Sequence, residues 1–256
     1  MTESRPGRVW ALVAGQAARR GGRVSAADVC AAAVAAVEVT GAWLIAAGGE
    51  EADHLMWATD EVSELLAELQ LTLGEGPGPD ALARGGPVLV SDLDNSDAVR
   101  RWPVFAAAAG QAGAAAAFVF PLQVGAIRAG VMGLYRERPG PLSDSQLGDA
   151  LVFADTATLL LLEAQDQDQA DQAAGGVAAG SGPGGQPAGL AVHRAEIDQA
   201  TGMLTEQLGV GIAEAFIRLR AYAYAHDRRL SDLAGDIVAR RLRLRPDPDP
   251  REDDRT

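Results

Sequence analysis

The sequence predicts an α+β domain built on one antiparallel sheet with flanking helices, followed by a small all-α domain of three helices. Two observations carry this prediction. Over residues 24–167, short apolar runs and amphipathic segments alternate in the order helix, strand, strand, helix, strand, helix, strand, strand, helix. Over residues 190–245, apolar residues recur every three or four positions, which is the period of a helix that buries one face.

The first half of the N-terminal domain is predicted to contain two helices and two strands. Ser25 can cap a helix in the alanine-rich stretch that follows it. The apolar runs at 42–48 and 54–58 are typical of paired strands, and the segment 60–76 keeps the 3.6-residue period of a second helix. Residues 1–23 carry a weaker pattern, which predicts a poorly ordered or weakly helical N-terminus.

The second half of this domain is predicted to complete the sheet. The run at 87–93 indicates a strand, and a helix is expected after Pro103. Two long apolar runs around a short turn over 115–138 predict a hairpin, in which Pro121 fits an edge or a bulge better than a central strand. A long helix over 143–167 closes the domain.

Three short helices are predicted for the C-terminal domain. Gly209 is expected to end the first helix, Gly211 to precede the second and Ser231 to cap the third. We expect the helices to pack around Phe216. Their apolar stripes are Ile197, Ala200, Leu204 and Leu208, then Ile212, Ala215, Phe216, Leu219 and Ala223, and finally Leu233, Ile237 and Leu242.

The amino-acid composition of the predicted linker and of the C-terminal tail differs from that of the two domains. Residues 168–189 are rich in glycine and alanine and are predicted to form a flexible linker, and the proline- and aspartate-rich residues 246–256 are predicted to form a disordered acidic tail. The net charge is −13, and all 22 basic residues are arginine. Residues 190–245 hold nine arginines and seven acidic residues, a charge of +2, which leaves −15 on the remainder. This asymmetry suggests different functions for the two parts.

The sequence argues against several classes of protein. Cys30 is the only cysteine, and it is predicted to be a small buried residue of a helix. The three histidines are far apart, so no metal site is expected. No nucleophile–base pair, phosphate-binding loop or pair of catalytic carboxylates stands out, so no enzymatic activity is expected. No apolar run is long enough to span a membrane and no signal peptide is recognised, which predicts a cytoplasmic location.

One pattern in the N-terminal domain is shared with a known family. It combines the loop segment at 71–82, the strand at 87–93, the hairpin at 117–135 and the closing helix. With this pattern the domain resembles a GAF sensor domain over residues 24–166. The resemblance implies that the domain senses a small molecule or a protein.

The same resemblance implies a pocket between the sheet and its loops. The aromatic residues that could line it are Trp43, Trp57, Phe118, Phe120 and Tyr135. The alternative is that these rings fill a solid core. No cysteine in the core could attach a bilin and no convincing axial haem ligand is present, since His54 is expected to be an ordinary strand or surface residue. No cofactor is therefore expected.

The C-terminal domain carries a more specific pattern. Its parts are ATGML at 200–204, LGV at 208–210, EAFIRLRAYA at 214–223 and RRLSDLAGDIV at 228–238. These segments, in this order and spacing, resemble the ANTAR domain, an RNA-binding antiterminator module. The resemblance implies recognition of paired small RNA hairpins near transcription terminators, and a homodimer would fit two hairpins.

The residues of the C-terminal domain permit such binding. Arg220 and Tyr224 are four positions apart and therefore adjoin on one helix face. A guanidinium beside an aromatic ring can hold a phosphate while the ring stacks on an unpaired base. The predicted RNA-binding residues are Arg218, Arg220, Tyr224, Arg228, Arg229 and Thr201, the last at a position where many ANTAR sequences carry lysine.

An alternative function remains open for the same helices. Their alanine-rich faces are also typical of a protein-interaction or dimerisation module that binds no RNA. In that case Tyr224 covers the edge of the bundle and the arginines form a solvated face.

Overall fold

The computed structural model describes residues 4–47, 53–173, 188–226 and 228–244. Its described helices are α1 (Arg5–Arg20), α2 (Ala26–Val37), α3 (Glu61–Leu73), α4 (Pro77–Arg84), α5 (Ser96–Arg101), α6 (Pro103–Gln111), α7 (Asp144–Ala173), α8 (Ala188–Leu208), α9 (Ile212–Ala225) and α10 (Leu230–Val238). Its described strands are β1 (Gly41–Ala46), β2 (His54–Ala58), β3 (Val88–Val90), β4 (Ala116–Val124) and β5 (Ile127–Arg136).

The five strands form one antiparallel sheet in the order β2-β1-β5-β4-β3. The predicted fold class, an antiparallel sheet with flanking helices followed by a small helical domain, is confirmed. The predicted hairpin is also present as β4 and β5, which pair along almost their full length. Pro121 lies in β4 beyond the three residues that pair with β3, so no described strand pairs with it on that side.

Each face of the sheet is covered by its own apolar core. Helices α1, α2 and α7 cover one face, where Phe118, Phe120 and Phe153 are almost completely buried. Helices α3, α4, α5 and α6 cover the other face, where Trp43 and Phe105 are fully buried. This division follows from strand geometry, since successive side chains of a strand point to opposite faces.

The N-terminal segment differs from its prediction. Residues 5–20 form α1, whose side chains Val9 and Val13 are fully buried beneath α2 and α7. Asp149 on α7 ties the helix down, because it accepts a hydrogen bond from Arg8 Nη2 at 2.6 Å and lies 3.1 Å from Arg5 Nε. The expectation of a poorly ordered or weakly helical segment at 1–23 is therefore corrected to a docked helix.

The start of α2 is held by a buried carboxylate. Asp28 Oδ2 accepts hydrogen bonds from the amide and hydroxyl of Ser25 at 2.9 and 2.7 Å and from Arg20 Nη2 at 2.7 Å. Burial alone would raise the pKa of Asp28, but the bonds from Arg20 and Ser25 outweigh it and the pKa is lowered. The charged form is therefore stabilised in the folded state. Cys30, two residues further, is fully buried as predicted.

We expect Asp28→Asn to lower the free energy of unfolding by about 1–3 kcal/mol at pH 7, because charge-assisted bonds to a buried acceptor are lost. A carboxylate with a lowered pKa stabilises the fold at pH values above its pKa in the unfolded chain, which is about 3.9. This stabilisation disappears as the pH falls through the pKa of the folded state. The two stabilities should therefore converge in acid. Urea titrations between pH 7 and pH 2.5 measure this, with the exposed Asp97→Asn as the control. A constant difference at every pH would contradict the assignment.

Three helices, α8, α9 and α10, form the C-terminal domain around their own core. Its centre consists of side chains with no exposure, namely Ala200, Leu204, Ala215, Leu219, Ala223, Leu233, Ala234 and Ile237. Gly209, with φ +65°, ends α8, and Gly211 precedes α9 as the sequence predicts. The helical period thus identified most of this core.

Three details of the C-terminal domain differ from prediction. Phe216 is not the centre of the bundle but lies half-buried at its edge, and Ile212 is half exposed. Ser231 does not cap α10, because Arg229 occupies the N-cap position. The predicted linker at 168–189 falls partly in α7 and α8 and otherwise, with the tail at 246–256, outside the described residues.

Candidate RNA interface

The predicted pair on α9 is brought together in the structure. Arg220 and Tyr224 lie one turn apart and both line a groove of about 370 Å³. Tyr224 keeps 56% of its surface exposed. The opposite wall of the groove is formed by the N-terminal domain, with Thr72 and Leu73 from the end of α3. The two side chains therefore lie at a groove between the domains, and Tyr224 is also exposed to solvent.

Arg220 contacts the N-terminal domain directly. Its Nε donates a hydrogen bond to the carbonyl oxygen of Thr72 at 3.0 Å, and its guanidinium lies 5.8 Å from the ring centre of Phe216. Burial lowers the pKa of Arg220, while the charge of Asp53 opposes the change. A guanidinium has so high an intrinsic pKa that Arg220 remains a cation at neutral pH.

Gly74 makes this approach possible. The residue follows α3 with φ +67°, a conformation that favours glycine, and a side chain here would collide with Nη2 of Arg220. The glycine-rich segment after α3 was recognised in the sequence only as a loop. In the structure Gly74, which lies in this segment, leaves space for Arg220 of the other domain.

The two arginines at the turn between α9 and α10 have different surroundings. Arg228 Nη2 lies 2.6 Å from Asp236 Oδ2, and Arg241 Nε lies 2.6 Å from Oδ1 of the same carboxylate. The hydrogen bonds from Arg241 and then Arg228 lower the pKa of Asp236. Arg229 is exposed, and its Nε lies 3.8 Å from Glu68 Oε2 on α3.

The remaining two predicted RNA-binding residues are differently placed. Arg218 Nε donates to Glu214 Oε1 at 3.0 Å, an ion pair along the surface of α9. Thr201 is only 3% exposed, and its hydroxyl donates to the carbonyl oxygen of Ile197 at 2.8 Å within α8. The Thr201 side chain is therefore buried in the C-terminal domain and has almost no surface that could contact RNA.

The aromatic residues predicted to line a pocket of the N-terminal domain lie in the cores of the sheet. Trp43 and Tyr135 belong to the core on one face, whereas Phe118, Phe120 and the half-buried Trp57 pack on the other. Residues on opposite faces cannot line one pocket. This placement agrees with the alternative that the sequence left open, namely that the rings fill a solid core.

A cavity that the sequence did not reveal lies between the domains. It has a volume of about 230 Å³. Ile45 and Val131 of the sheet and Gln70 of α3 form its inner part, and Phe216 and Arg220 of α9 close it. No local signal in the sequence could have found this site, because its walls come from segments far apart along the chain.

The structure gives no sign of a metal centre or membrane span in the part it describes. Among the described residues, no group of three or more histidine, cysteine, aspartate or glutamate side chains could hold a metal ion. None of the described helices is both long and apolar enough to cross a lipid bilayer.

Comparisons with known proteins agree with both domains. The model of the ANTAR domain family matches residues 191–238. The GAF domain of a phosphoenolpyruvate-protein phosphotransferase from Coxiella burnetii is 13% identical, covers 65% of this chain and 99% of its own, and superposes with a TM-score of 0.51. At such identity the likeness shows the fold alone.

Two further solved structures are similar at lower TM-scores. The GAF-B domain of DevS from Mycobacterium smegmatis is 20% identical, with coverage of 56% of this chain and 93% of that one and a TM-score of 0.41. The GAF domain of a two-component sensor histidine kinase from Bacillus halodurans is 11% identical, with coverage of 57% and 100% and a TM-score of 0.42. No curated protein matches the sequence. Residues 191–238 are therefore an ANTAR domain, and this domain follows one with the GAF fold.

Proposed function

We propose that this protein is a signal-responsive regulator of transcription antitermination that binds RNA hairpins through its ANTAR domain. In this proposal the GAF-fold domain senses a small molecule or a partner protein. The protein acts in the cytoplasm as a homodimer, with one subunit for each hairpin of a nascent leader transcript. The observation that carries the proposal is the exposed ring of Tyr224, one turn from Arg220, within a segment that matches the ANTAR family.

The chemistry of this surface suits an RNA loop better than a duplex. An unpaired base can stack on an exposed phenol ring whatever its sequence, and a neighbouring guanidinium can hold the phosphate that precedes or follows it. Arg229 supplies an exposed cation at the N-cap of α10, a few residues beyond the end of α9. The local charge of +2 over residues 190–245 favours an anionic partner although the whole chain is acidic.

We expect Tyr224→Ala to weaken binding of a double-hairpin RNA by about 5- to 150-fold, which corresponds to the roughly 1–3 kcal/mol that stacking of one base contributes. Tyr224→Phe should keep affinity close to that of the wild type, because the ring is retained. Fluorescence-anisotropy titrations of the full chain at several salt concentrations measure both the affinity and its salt dependence.

Two results would contradict this function. One is the absence of salt-dependent binding to double-hairpin RNA at protein concentrations up to about 100 μM, where even non-specific binding is normally seen. The other is an equal loss of affinity in Arg138→Ala, which removes an exposed arginine of the N-terminal domain. The second result would mean that net charge, and not the α9 surface, determines binding.

A protein-interaction module is the second candidate function. Ile217 is 56% exposed and lies beside Tyr224 along the same groove, so α9 presents apolar area that a partner helix could cover. We expect Ile217→Ser to abolish association in that case and to leave RNA affinity little changed if the first proposal is correct, because this substitution removes apolar area without adding a negative charge beside Tyr224. Sedimentation velocity of the full chain, with and without RNA, distinguishes the two.

A further inference from the structure

One face of α3 contacts the ANTAR domain at two points. Glu68 and Thr72 are four positions apart and so lie on the same side of this helix. Glu68 contacts Ser231 and Arg229 at the start of α10, and the carbonyl group of Thr72 contacts Arg220 on α9. We call this side of α3, defined by Glu68 and Thr72, the docking face.

The contact at Glu68 is buried and polar. The hydroxyl of Ser231 donates to Glu68 Oε1 at 2.7 Å, and the two residues are only 3% and 8% exposed. A carboxylate is costly to bury unless it receives hydrogen bonds, and the bond from Ser231 offsets part of this cost for Glu68. Arg229, with Nε at 3.8 Å, adds a favourable charge at the same point. The buried bond therefore favours one specific arrangement of the two domains.

The same contact covers part of the proposed RNA surface. Arg220 is directed at the carbonyl oxygen of Thr72, and the groove that it shares with Tyr224 has the N-terminal domain as its opposite wall. A groove of about 370 Å³ is at the lower end of the size that holds one small molecule. A folded RNA hairpin is far larger and cannot reach Arg220 through it.

We propose that the docking face of α3 is an autoinhibitory surface, which holds the ANTAR domain in a closed state, withholds Arg220 from RNA and keeps Arg229 beside Glu68. RNA binding then requires release of α9 and α10 from α3. This inference rests on the RNA-binding function proposed above, and it adds the element that controls that function.

The cavity between the domains is the place where a bound molecule would act on this contact, because residues of both domains line it. Gln70 and Val131 belong to the N-terminal domain, whereas Phe216 and Arg220 close the cavity from α9. A molecule bound there contacts both domains at once. It shifts the equilibrium between closed and released states by the difference in its affinity for the two. The direction of regulation is set by that difference.

The test uses the full chain and two variants that break the same bond from opposite sides. We expect Glu68→Ala and Ser231→Ala each to tighten double-hairpin RNA binding by about tenfold, since a bond to a charged group typically contributes that much to an equilibrium. Small-angle X-ray scattering of each variant without RNA should show a larger radius of gyration. Ser231→Ala leaves the charge unchanged and remains informative if Glu68→Ala folds poorly.

The control variant is Glu61→Ala, which removes an exposed carboxylate from the first turn of the same helix. It should change neither the radius nor the affinity beyond twofold. The double variant Glu68→Ala/Tyr224→Ala should lose the gain, which shows that the released surface is the one that binds RNA.

The possible results separate the two proposals. Unchanged RNA affinity in both Glu68→Ala and Ser231→Ala, or a gain without a larger radius, overturns autoinhibition and leaves RNA binding standing. A larger radius with no RNA binding by any form of the protein overturns the RNA-binding function, and autoinhibition with it.

Discussion

Replacing Leu219 with alanine is expected to lower the free energy of unfolding of the ANTAR domain by about 2–5 kcal/mol. Leu219 has no exposed surface and lies at the centre of α9, where it packs in the core shared with α8 and α10. Truncation loses the transfer free energy of the side chain and leaves a cavity that neighbouring alanines are too small to fill. A three-helix domain of this size has a total stability of only a few kcal/mol, so the loss is comparable to the whole.

Hydrogen exchange followed by mass spectrometry measures this change separately for each domain. Peptides from residues 195–244 should exchange about 30- to several-thousandfold faster, as a change of 2–5 kcal/mol implies, while peptides from α2 and the sheet keep their rates. Ile212→Ala is the matched control, because Ile212 begins the same helix and is 50% exposed. Equal effects of the two substitutions would mean that the core assigned to α9 is wrong.

The helical period correctly predicted the buried stripe of α9 but misplaced Phe216, and both results have the same physical cause. The helical period identified Ala215, Leu219 and Ala223 because one face of a helix must be buried within its own bundle. Phe216 adjoins that stripe and was assigned to it. In the structure Phe216 instead closes a cavity against the N-terminal domain. Periodicity tells which residues are apolar neighbours, but it does not tell whether a second domain covers the edge of the stripe.

The contact between Ser231 and Glu68 is a second case in which the sequence pattern could not predict a contact between the domains. The two residues are separated by 163 positions, and serine near the start of a helix is ordinarily a cap. The sequence therefore predicted a local bond for Ser231, whereas the structure gives its hydroxyl a buried partner on α3. Polar contacts between domains leave no spacing pattern in the sequence, so this part of the site could not be predicted from it.

The N-terminal helix illustrates a third reason for a wrong prediction. Helix α1 buries only a narrow stripe, and its residue Arg8 reaches Asp149 across 141 positions. Its stability depends on surfaces supplied by α2 and α7 rather than on its own propensity. The sheet, in contrast, was recognised well, because apolar runs of five to ten residues with a turn between them have few other interpretations.

Gly130→Ala is expected to lower the free energy of unfolding of the GAF-fold domain by about 2–4 kcal/mol, through backbone strain and a direct collision. Gly130 has φ +150° in β5, opposite Ala46 of β1. A Cβ atom there would overlap the carbonyl oxygen of Ile45, which is backbone and cannot turn aside as a side chain could.

Thermal and urea unfolding, monitored by circular dichroism, measure the loss. Gly86→Ala is the control, since an added Cβ meets no atom within 4 Å there and the residue has no positive φ, so the change should stay within about 0.5 kcal/mol. Unaltered stability in Gly130→Ala would show that β1 and β5 can separate without cost. Because Ile45 also lines the cavity beneath α9, a shift of β1 in this variant would alter that cavity as well. The sheet that stabilises the domain therefore also shapes the site through which we propose it is controlled.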